Sequence, residues 1–361
     1  MIFISIIFLL IVGASYAFIQ NPQFGGKPSP KQLKAFQSLP NYKNGKFQNF
    51  NHTPQLTGDG NIFKIMQNFF FNKDKGNVPA FTLPSRKTDL FKLNPDEDIL
   101  VWFGHSSYFM QLDGKRILVD PVLSGHASPI KFTTKSFKGS DVYTTDDIPP
   151  IDILLITHDH YDHLDYETIF KLRPKIKKVI TGLGVAAHFK RWGYEQNIIS
   201  ENDWSQQIET DGFIFHTAPA RHFSGRNFKR NTSLWLSFVV LTPTKKIFVG
   251  GDSGYDSHFK TIGERFGPFD LVILENGQYN QYWKYIHMMP EEVVQAAVDL
   301  HAKKLLPVHW GKFSLSLHAW DEPIRRVVKA AEGKEVVVVH PMIGETVHLD
   351  ENSKFNQWWN L

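Results

Sequence analysis

Between Ile151 and Asp165 the chain passes from the apolar stretch IDILLI directly into THDHYDHLD, where His158, His160, Asp162 and His163 spell H-x-H-x-D-H. A short apolar run bounded by polar residues reads as a buried strand. Along a straight strand successive side chains alternate faces, so donors spaced two, four and five positions apart cannot converge there. In a turn at the strand's carboxyl end they can. Imidazole and carboxylate are the donors that first-row divalent cations take when no thiolate is at hand, and this chain contains no cysteine. A solitary histidine would carry little weight, but four donors at this spacing predict a metal-binding turn.

Further donors stand in comparable places. His222 follows the apolar segment FIFHTAPA, Asp252 follows IFVGG, and His309 ends LLPVH. Each lies just past a predicted strand, which is where open α/β sheets gather their active groups. Taken singly, His222 reads equally well as structural and Asp252 as a cap for the helix that follows; it is their joint placement that points to one edge of a sheet.

The predicted elements fit such a layered architecture. ILVWFG and YFMQLDGKRILVD read as strands, with Asp113-Gly114 at a hairpin turn. Helices are expected after Leu164, near Val185 to Trp192, and over HFKTIGERF, PEEVVQAAVDLHA and PIRRVVKAA. Strands are expected at KKVITGLG, GFIFHTAP, SLWLSFVVL, KKIFVGG, FDLVILE, KLLPVHW and EVVVV. Strands interleaved with helices in both halves predict an α/β class with helices packed outside sheets. With 42% hydrophobic and 21% charged residues the chain supports a large interior. Its formal charge of +4 is far from a basic stripe, and no nucleic-acid partner is expected.

The first 98 residues read differently. Ile2 to Val12 is apolar and leads to small residues ending at Ala17, a layout similar to an export signal without its basic start. Counted through Ile19, the run approaches the roughly 17 to 25 residues needed to span a bilayer. Residues 1–17 are therefore expected to be a signal peptide or a membrane anchor, and the protein to be exported or membrane-associated rather than cytoplasmic. Residues 18–98 are expected to form an arm packed on the core. Within it Phe63, Ile65, Met66, Phe69, Phe70 and Phe71, beside Lys64, Lys73 and Lys75, read either as an interfacial segment meeting a membrane surface or as an aromatic cover for the core.

The segments WFGHSSYFMQLDGKRILVDPVLSGHASP, IPPIDILLITHDHYDHLD, PARHFSGR, GGDSGY, ERFGPFDLVIL and LLPVHWGKFSLSLH together resemble the metallo-β-lactamase superfamily. Within it they are similar to the branch of N-acylphosphatidylethanolamine-hydrolysing phospholipases D. The resemblance runs from about Ile99 to His348, with much of the arm before it, and implies an αββα sandwich of two mixed sheets flanked by helices, with residues 99–350 as the hydrolase domain. It implies two divalent metal ions, Zn2+ or alternatively Mn2+. His158, His160 and His222 would hold one; Asp162, His163 and His309 would hold the other; Asp252 would bridge them. By the same resemblance Asp120 orients a metal histidine and His105 lies near the site.

Two cations so placed would activate a water and stabilise charge on a phosphodiester. The expected activity is a metal-dependent, phospholipase D-like phosphodiesterase acting on a lipid substrate, with Asp162 orienting the attacking water and His287, in KYIHMMPEE, as candidate proton donor or phosphate contact. His287 reads equally well as a mere neighbour of the helix that begins at Pro290. Ile286 stands where the eukaryotic pattern carries glutamine, and the loop ENGQYNQYW departs from it too. A lactonase or esterase of the same fold is the alternative; a non-catalytic binding module is disfavoured by the retention of every ligand type. Oligomeric state is not legible in the residues.

Overall fold

The computed structural model describes residues 2–58, 61, 65, 67, 76–226 and 229–360, with side chains from residue 5 onward. Phe63, Lys64, Met66, Phe69, Phe70, Phe71, Lys73 and Lys75, the expected interfacial or core-covering segment, lie outside the described residues.

One seven-stranded sheet is assembled from β3 (Ile99–Trp102), β4 (Tyr108–Leu112), β5 (Lys115–Val119), β6 (Ile151–Ile156), β7 (Ile176–Gly182), β8 (Ile199–Asn202) and β16 (Thr346–His348), in the order β16-β3-β4-β5-β6-β7-β8. The β4–β5 hairpin turns on Asp113 and Gly114, both in the left-handed region at φ 43° and 73°. That is the twist a two-residue hairpin needs. From β5 to β8 the pairing is parallel, whereas β16, β3, β4 and β5 pair antiparallel. The second sheet comprises β9 (Gln207–Thr210), β10 (Phe213–Ala218), β11 (Ser237–Leu241), β12 (Lys246–Val249), β13 (Leu271–Glu275), β14 (Lys304–Val308) and β15 (Val337–Val338), in the order β15-β14-β13-β12-β11-β10-β9. It too is mixed, antiparallel from β9 to β12 and parallel from β12 to β15.

Strand periodicity decides which layer each side chain joins. On β5 and β6, Ile117, Val119, Ile153 and Leu155 join the core between the sheets, while Leu118, Leu154 and Ile156 face the other way. There they meet α3 (Tyr166–Leu172) and α4 (Ala186–Arg191) through Ile169, Leu172, Ala186 and Phe189. On the far side of the second sheet, α5 (His258–Phe266), α6 (Pro290–Asp299) and α7 (Glu322–Ala330) bury Phe259, Ile262, Val293, Ala297, Ile324 and Val327. The layers are helix, sheet, sheet, helix, as expected, and each fully buried aliphatic chain contributes about 1.5–3 kcal/mol.

Two expected strands are shorter than their apolar runs. In SLWLSFVVL only Ser237–Leu241 is strand. The preceding residues turn to the first sheet instead: the Leu234 amide donates to the Leu183 carbonyl at 2.8 Å and the Leu236 amide to that of Thr157 at 3.0 Å. Likewise only Val337 and Val338 of EVVVV pair, at the edge next to β14.

The amino-terminal segment begins with α1 (Ile2–Ile19), which carries no charged residue and whose Phe8, Leu9 and Leu10 are 64–67% exposed. At 18 residues it is about 27 Å long, short of the roughly 30 Å bilayer core. Among the described residues no helix is long and apolar enough to cross a membrane. The strap after it is fixed to the core. Arg191 Nη1 donates to the Gly25 carbonyl at 2.6 Å, Trp192 Nε1 to that of Pro22 at 2.8 Å, and Arg226 Nη2 to that of Gln23 at 2.7 Å. Beyond it, α2 (Pro30–Phe36) and the hairpin β1 (Tyr42–Lys43) and β2 (Lys46–Phe47) bury Phe36, Tyr42 and Phe47 against one another.

Candidate metal centre

The H-x-H-x-D-H turn leaves β6 and closes on itself: the amides of His163 and Leu164 both donate to the His160 carbonyl, at 3.1 and 2.8 Å. Asp120, just past β5, braces it from beneath. Its Oδ2 accepts from His163 Nδ1 at 2.8 Å and from Thr157 Oγ1 at 2.6 Å, and its Oδ1 accepts from the Thr157 amide at 2.9 Å. With its Nδ1 proton committed, His163 turns Nε2 into the basin, which is how an outer acceptor fixes a ligand's tautomer.

The second sheet brings the separate donors to the same place. Asp252 Oδ2 lies 3.2 Å from His163 Nε2, 3.7 Å from His222 Nε2 and 3.8 Å from His158 Nε2, and its Oδ1 lies 3.3 Å from His309 Nδ1. His222 donates from Nδ1 to the Ile286 carbonyl at 2.8 Å, and its Nε2 is 3.3 Å from His160 Nδ1. The ends of the two sheets are joined here by backbone bonds, the His309 amide to the His105 carbonyl and the His105 amide to the Trp310 carbonyl, both at 2.9 Å. His105, Asp120 and His309 all adopt left-handed conformations, at φ 53°, 40° and 69°. Non-glycine residues in this region cost on the order of 1–3 kcal/mol each and concentrate where geometry is over-determined by function.

The seven expected ligands thus come together as two donor sets with ligand atoms mutually within 4.8 Å. One comprises His158, His160, His222 and Asp252; the other comprises Asp162, His163, His309 and, in addition, His105. Asp252 stands between them, and with His287 and His309 forms a third such set. The donors suit cations. His160 Nδ1 faces His158 Nε2 at 2.9 Å as well as His222 Nε2 at 3.3 Å, and one shared proton cannot satisfy three ring nitrogens. His163 Nε2 and Asp252 Oδ1 are buried without a hydrogen-bond partner.

The electrostatics point the same way. Burial holds His158, His222 and His309 well below the ordinary imidazole pKa and also lowers His160 and His105, so these rings stand as neutral ligands. Burial likewise pulls His163 down, but Asp252, Asp162 and Asp120 outweigh it and raise the ring well above its usual range. Burial pushes Asp162 and Asp252 up, yet the surrounding imidazoles, His163 foremost, hold both carboxylates below theirs. Acidic groups so placed call for positive charge, and a metal ion supplies more of it than a proton.

His105 is closer than expected: its Nε2 is 2.9 Å from Asp162 Oδ2 and its ring centroid is 4.1 Å from that of His309. Asp252 does not cap the following helix, whose N-cap is Ser257. His287 does lie near the start of α6, yet its ring also stacks on His309 at 5.3 Å and meets His222 edge-on at 5.1 Å.

Several supporting residues had not been singled out. Asp159, inside the motif, accepts from Ser233 Oγ at 2.7 Å and the Gly225 amide at 2.7 Å, and lies 3.2 Å from His188 Nε2. Asn49 of the arm clamps the His222 backbone, accepting from its amide at 3.1 Å and donating to its carbonyl at 2.8 Å. Glu275, buried at the end of β13, has its pKa pushed up to about 7 by that burial and stands beside His287. The strand-end rule that marks Asp252 and His309 applies to Glu275 as well; the arm residues had no comparable signal.

A cleft of about 1000 Å³ opens above the basin, with His160 and Asp162 among its lining. Its walls include Tyr16, Phe18, Ile19, Phe24, Phe223 and Leu315, with Arg226 and Arg230.

Residues 115–310 match the family model of the beta-lactamase superfamily domain. An uncharacterized protein of Mycobacterium tuberculosis is 36% identical, covering 90% of this chain and 88% of its own length. The N-acyl-phosphatidylethanolamine-hydrolyzing phospholipase D 1 of Caenorhabditis elegans is 29% identical over 74% of this chain and 80% of its own. Among solved structures, a metallo hydrolase from the archaeon Ignicoccus hospitalis superposes with a TM-score of 0.54 at 20% identity, covering 69% of this chain and 97% of that one.

Proposed function

We propose that this chain, which belongs to the metallo-β-lactamase superfamily, is of the N-acylphosphatidylethanolamine-hydrolysing phospholipase D branch and is a two-metal phosphodiesterase that cleaves lipid phosphodiesters. The observation that carries this reading is the continuity of the donor basin with a large, mostly apolar cleft, a shape that accepts an acyl chain beside a charged headgroup. His158, His160 and His222 would hold one cation, Asp162, His163 and His309 the other, and Asp252 would be shared. The donor set of nitrogen and oxygen without sulfur favours Zn2+, with Mn2+ the other candidate. When bound, the pair would activate a water and neutralise charge developing on the phosphoryl oxygens. Asp162, fixed by His105, would orient that water; His287 would contact the phosphate or the departing alcohol. Asp120 would keep the His163 ring aimed.

The exposed apolar helix α1, whose last third joins the cleft wall, supports a position at a membrane surface, the protein being exported or membrane-anchored. The test is a lipid-extract screen with metal-replete protein and mass analysis of products. Release of a phosphatidic acid and an alcohol is expected. Turnover of lactones or carboxylic esters with every phosphodiester left intact would overturn the reading in favour of carbonyl chemistry at the same metals.

A further inference from the structure

Strand β13 runs apolar from Leu271 to Leu274 and ends in Glu275, whose side chain is fully buried. Its Oε1 accepts from the Met288 amide at 2.6 Å. Its Oε2 lies 3.4 Å from Nδ1 of His287, and neither atom has any other hydrogen-bond partner. Two buried polar atoms that face only each other are costly unless a proton joins them. The separation is one that a small rotation of the ring closes, and such bonds are commonly long before substrate arrives. His287 in turn packs on His309 and His222, and one of its ring nitrogens lies within 4.8 Å of donor atoms of Asp252 and His309. The preceding residue, Ile286, is apolar and uses its carbonyl on His222, so the orientation of the imidazole must come from elsewhere.

We propose that Glu275 is a positioning residue for the hydrolysis: its carboxylate accepts the Nδ1–H of His287, fixing that tautomer and leaving Nε2 bare toward the substrate, where it takes a proton from the attacking water and returns it to the departing alcohol. For the step it serves the assignment rests on the hydrolase reading above; the tautomer is readable without any turnover.

The fixed end of Glu275 makes the test directional. In Glu275→Gln the Met288 amide still requires an acceptor, so the amide oxygen takes the Oε1 place and the NH2 group faces His287. That group donates, Nδ1 must then accept, and the proton moves to Nε2. Two-bond proton–nitrogen spectra of protein labelled at histidine nitrogens, recorded metal-free and metal-loaded, should show His287 as the Nδ1–H tautomer in the unaltered chain and as Nε2–H in Glu275→Gln. In the metal-loaded enzyme Glu275→Gln should lower kcat by about 10- to 100-fold, with KM little changed and metal content intact. Adding it to His287→Asn should cause no further loss, because Glu275 acts only through that ring.

A bare Nδ1 in the unaltered protein would overturn the proposal, and needs no variant to be seen. So would an unchanged tautomer in Glu275→Gln, or losses that multiply in the double variant. If no phosphodiester or ester is turned over, the hydrolase reading fails while the spectra still decide the pairing.

Discussion

The two halves of the donor basin are built in opposite ways. The first sheet contributes one turn, in which His158, His160, Asp162 and His163 fall within six consecutive residues. The second contributes His222, Asp252 and His309, each alone beyond the end of a different strand, β10, β12 and β14. The turn is shaped mainly by short-range bonds, its own amides to the His160 carbonyl and the Asp120 brace beneath. The separate donors take their places only when the second sheet is paired and packed on the first, through contacts such as Asn49 on His222 and His105 on His309. A local cluster is therefore set by backbone geometry, whereas a dispersed one reports on the whole fold. It follows that damage to the two halves should look different.

The largest effect is expected at Asp252, the carboxylate within reach of both sets. Asp252→Ala should leave well under one equivalent of metal per chain and no measurable turnover, whereas His160→Ala should strip mainly the set that contains His158 and His222. Metal analysis by plasma mass spectrometry checks this; equal, full loading of both variants would break the assignment of the two halves. The next effect is at the brace. Asp120→Asn keeps the shape but replaces one acceptor oxygen by a donor, so His163 or Thr157 loses its bond, and metal affinity or activity should fall by about 10- to 100-fold. Competition with a chelator reads the affinity directly.

The same contrast explains what was legible in the residues. The turn was visible because its spacing is meaningful without knowing any tertiary contact. His222, Asp252 and His309 were visible only as strand-end polar residues, and Glu275 satisfied that rule without being recognised, since a glutamate ending a strand usually reads as surface. The two mixed sheets were implied by the family resemblance, and only the α/β layering followed from apolar periodicity. The limits of SLWLSFVVL did not, because Leu234 and Leu236 spend their amides on the other sheet, a choice made by packing rather than propensity. The strap was invisible for the same reason. Gly25 adopts φ 72°, and a Cβ there would sit 1.9 Å from His188 Nδ1, so glycine is demanded by a neighbour more than 160 positions away.

Acid sharpens the comparison further. His258, at the start of α5 and 3.2 Å from Ser253 Oγ, is held by burial at a pKa of about 4. A histidine lowered on folding stabilises the protein fully above the unfolded value of about 6.5, and that contribution is lost as pH falls toward 4. The loss at this one site amounts to about 3 kcal/mol. On the turn side Asp159 is lowered as well, by His188 and Ser233 against the opposing effect of burial. Its contribution persists until pH drops below the ordinary aspartate range, near 3.9. The element after Asp252 should consequently loosen first. Urea midpoints of metal-loaded protein should fall between pH 6.5 and 4, and less steeply in His258→Gln; coincident profiles would remove His258 from the account.

The smallest effect on either half is expected from deleting residues 1–17. Only the last third of α1, from Ala14 to Ile19, borders the cleft, and the strap behind it keeps its own bonds to Arg191, Trp192 and Arg226. Metal content and thermal midpoint should be unchanged, and turnover of a soluble aryl phosphodiester should stay within about twofold, a free-energy change under 1 kcal/mol. What should drop is sedimentation with phospholipid vesicles and turnover of substrate carried in them, because the exposed Phe8, Leu9 and Leu10 would be gone. Loss of metal in the truncated chain would mean that α1 is part of the basin after all, and the division into a local half and a dispersed half would need a third contributor.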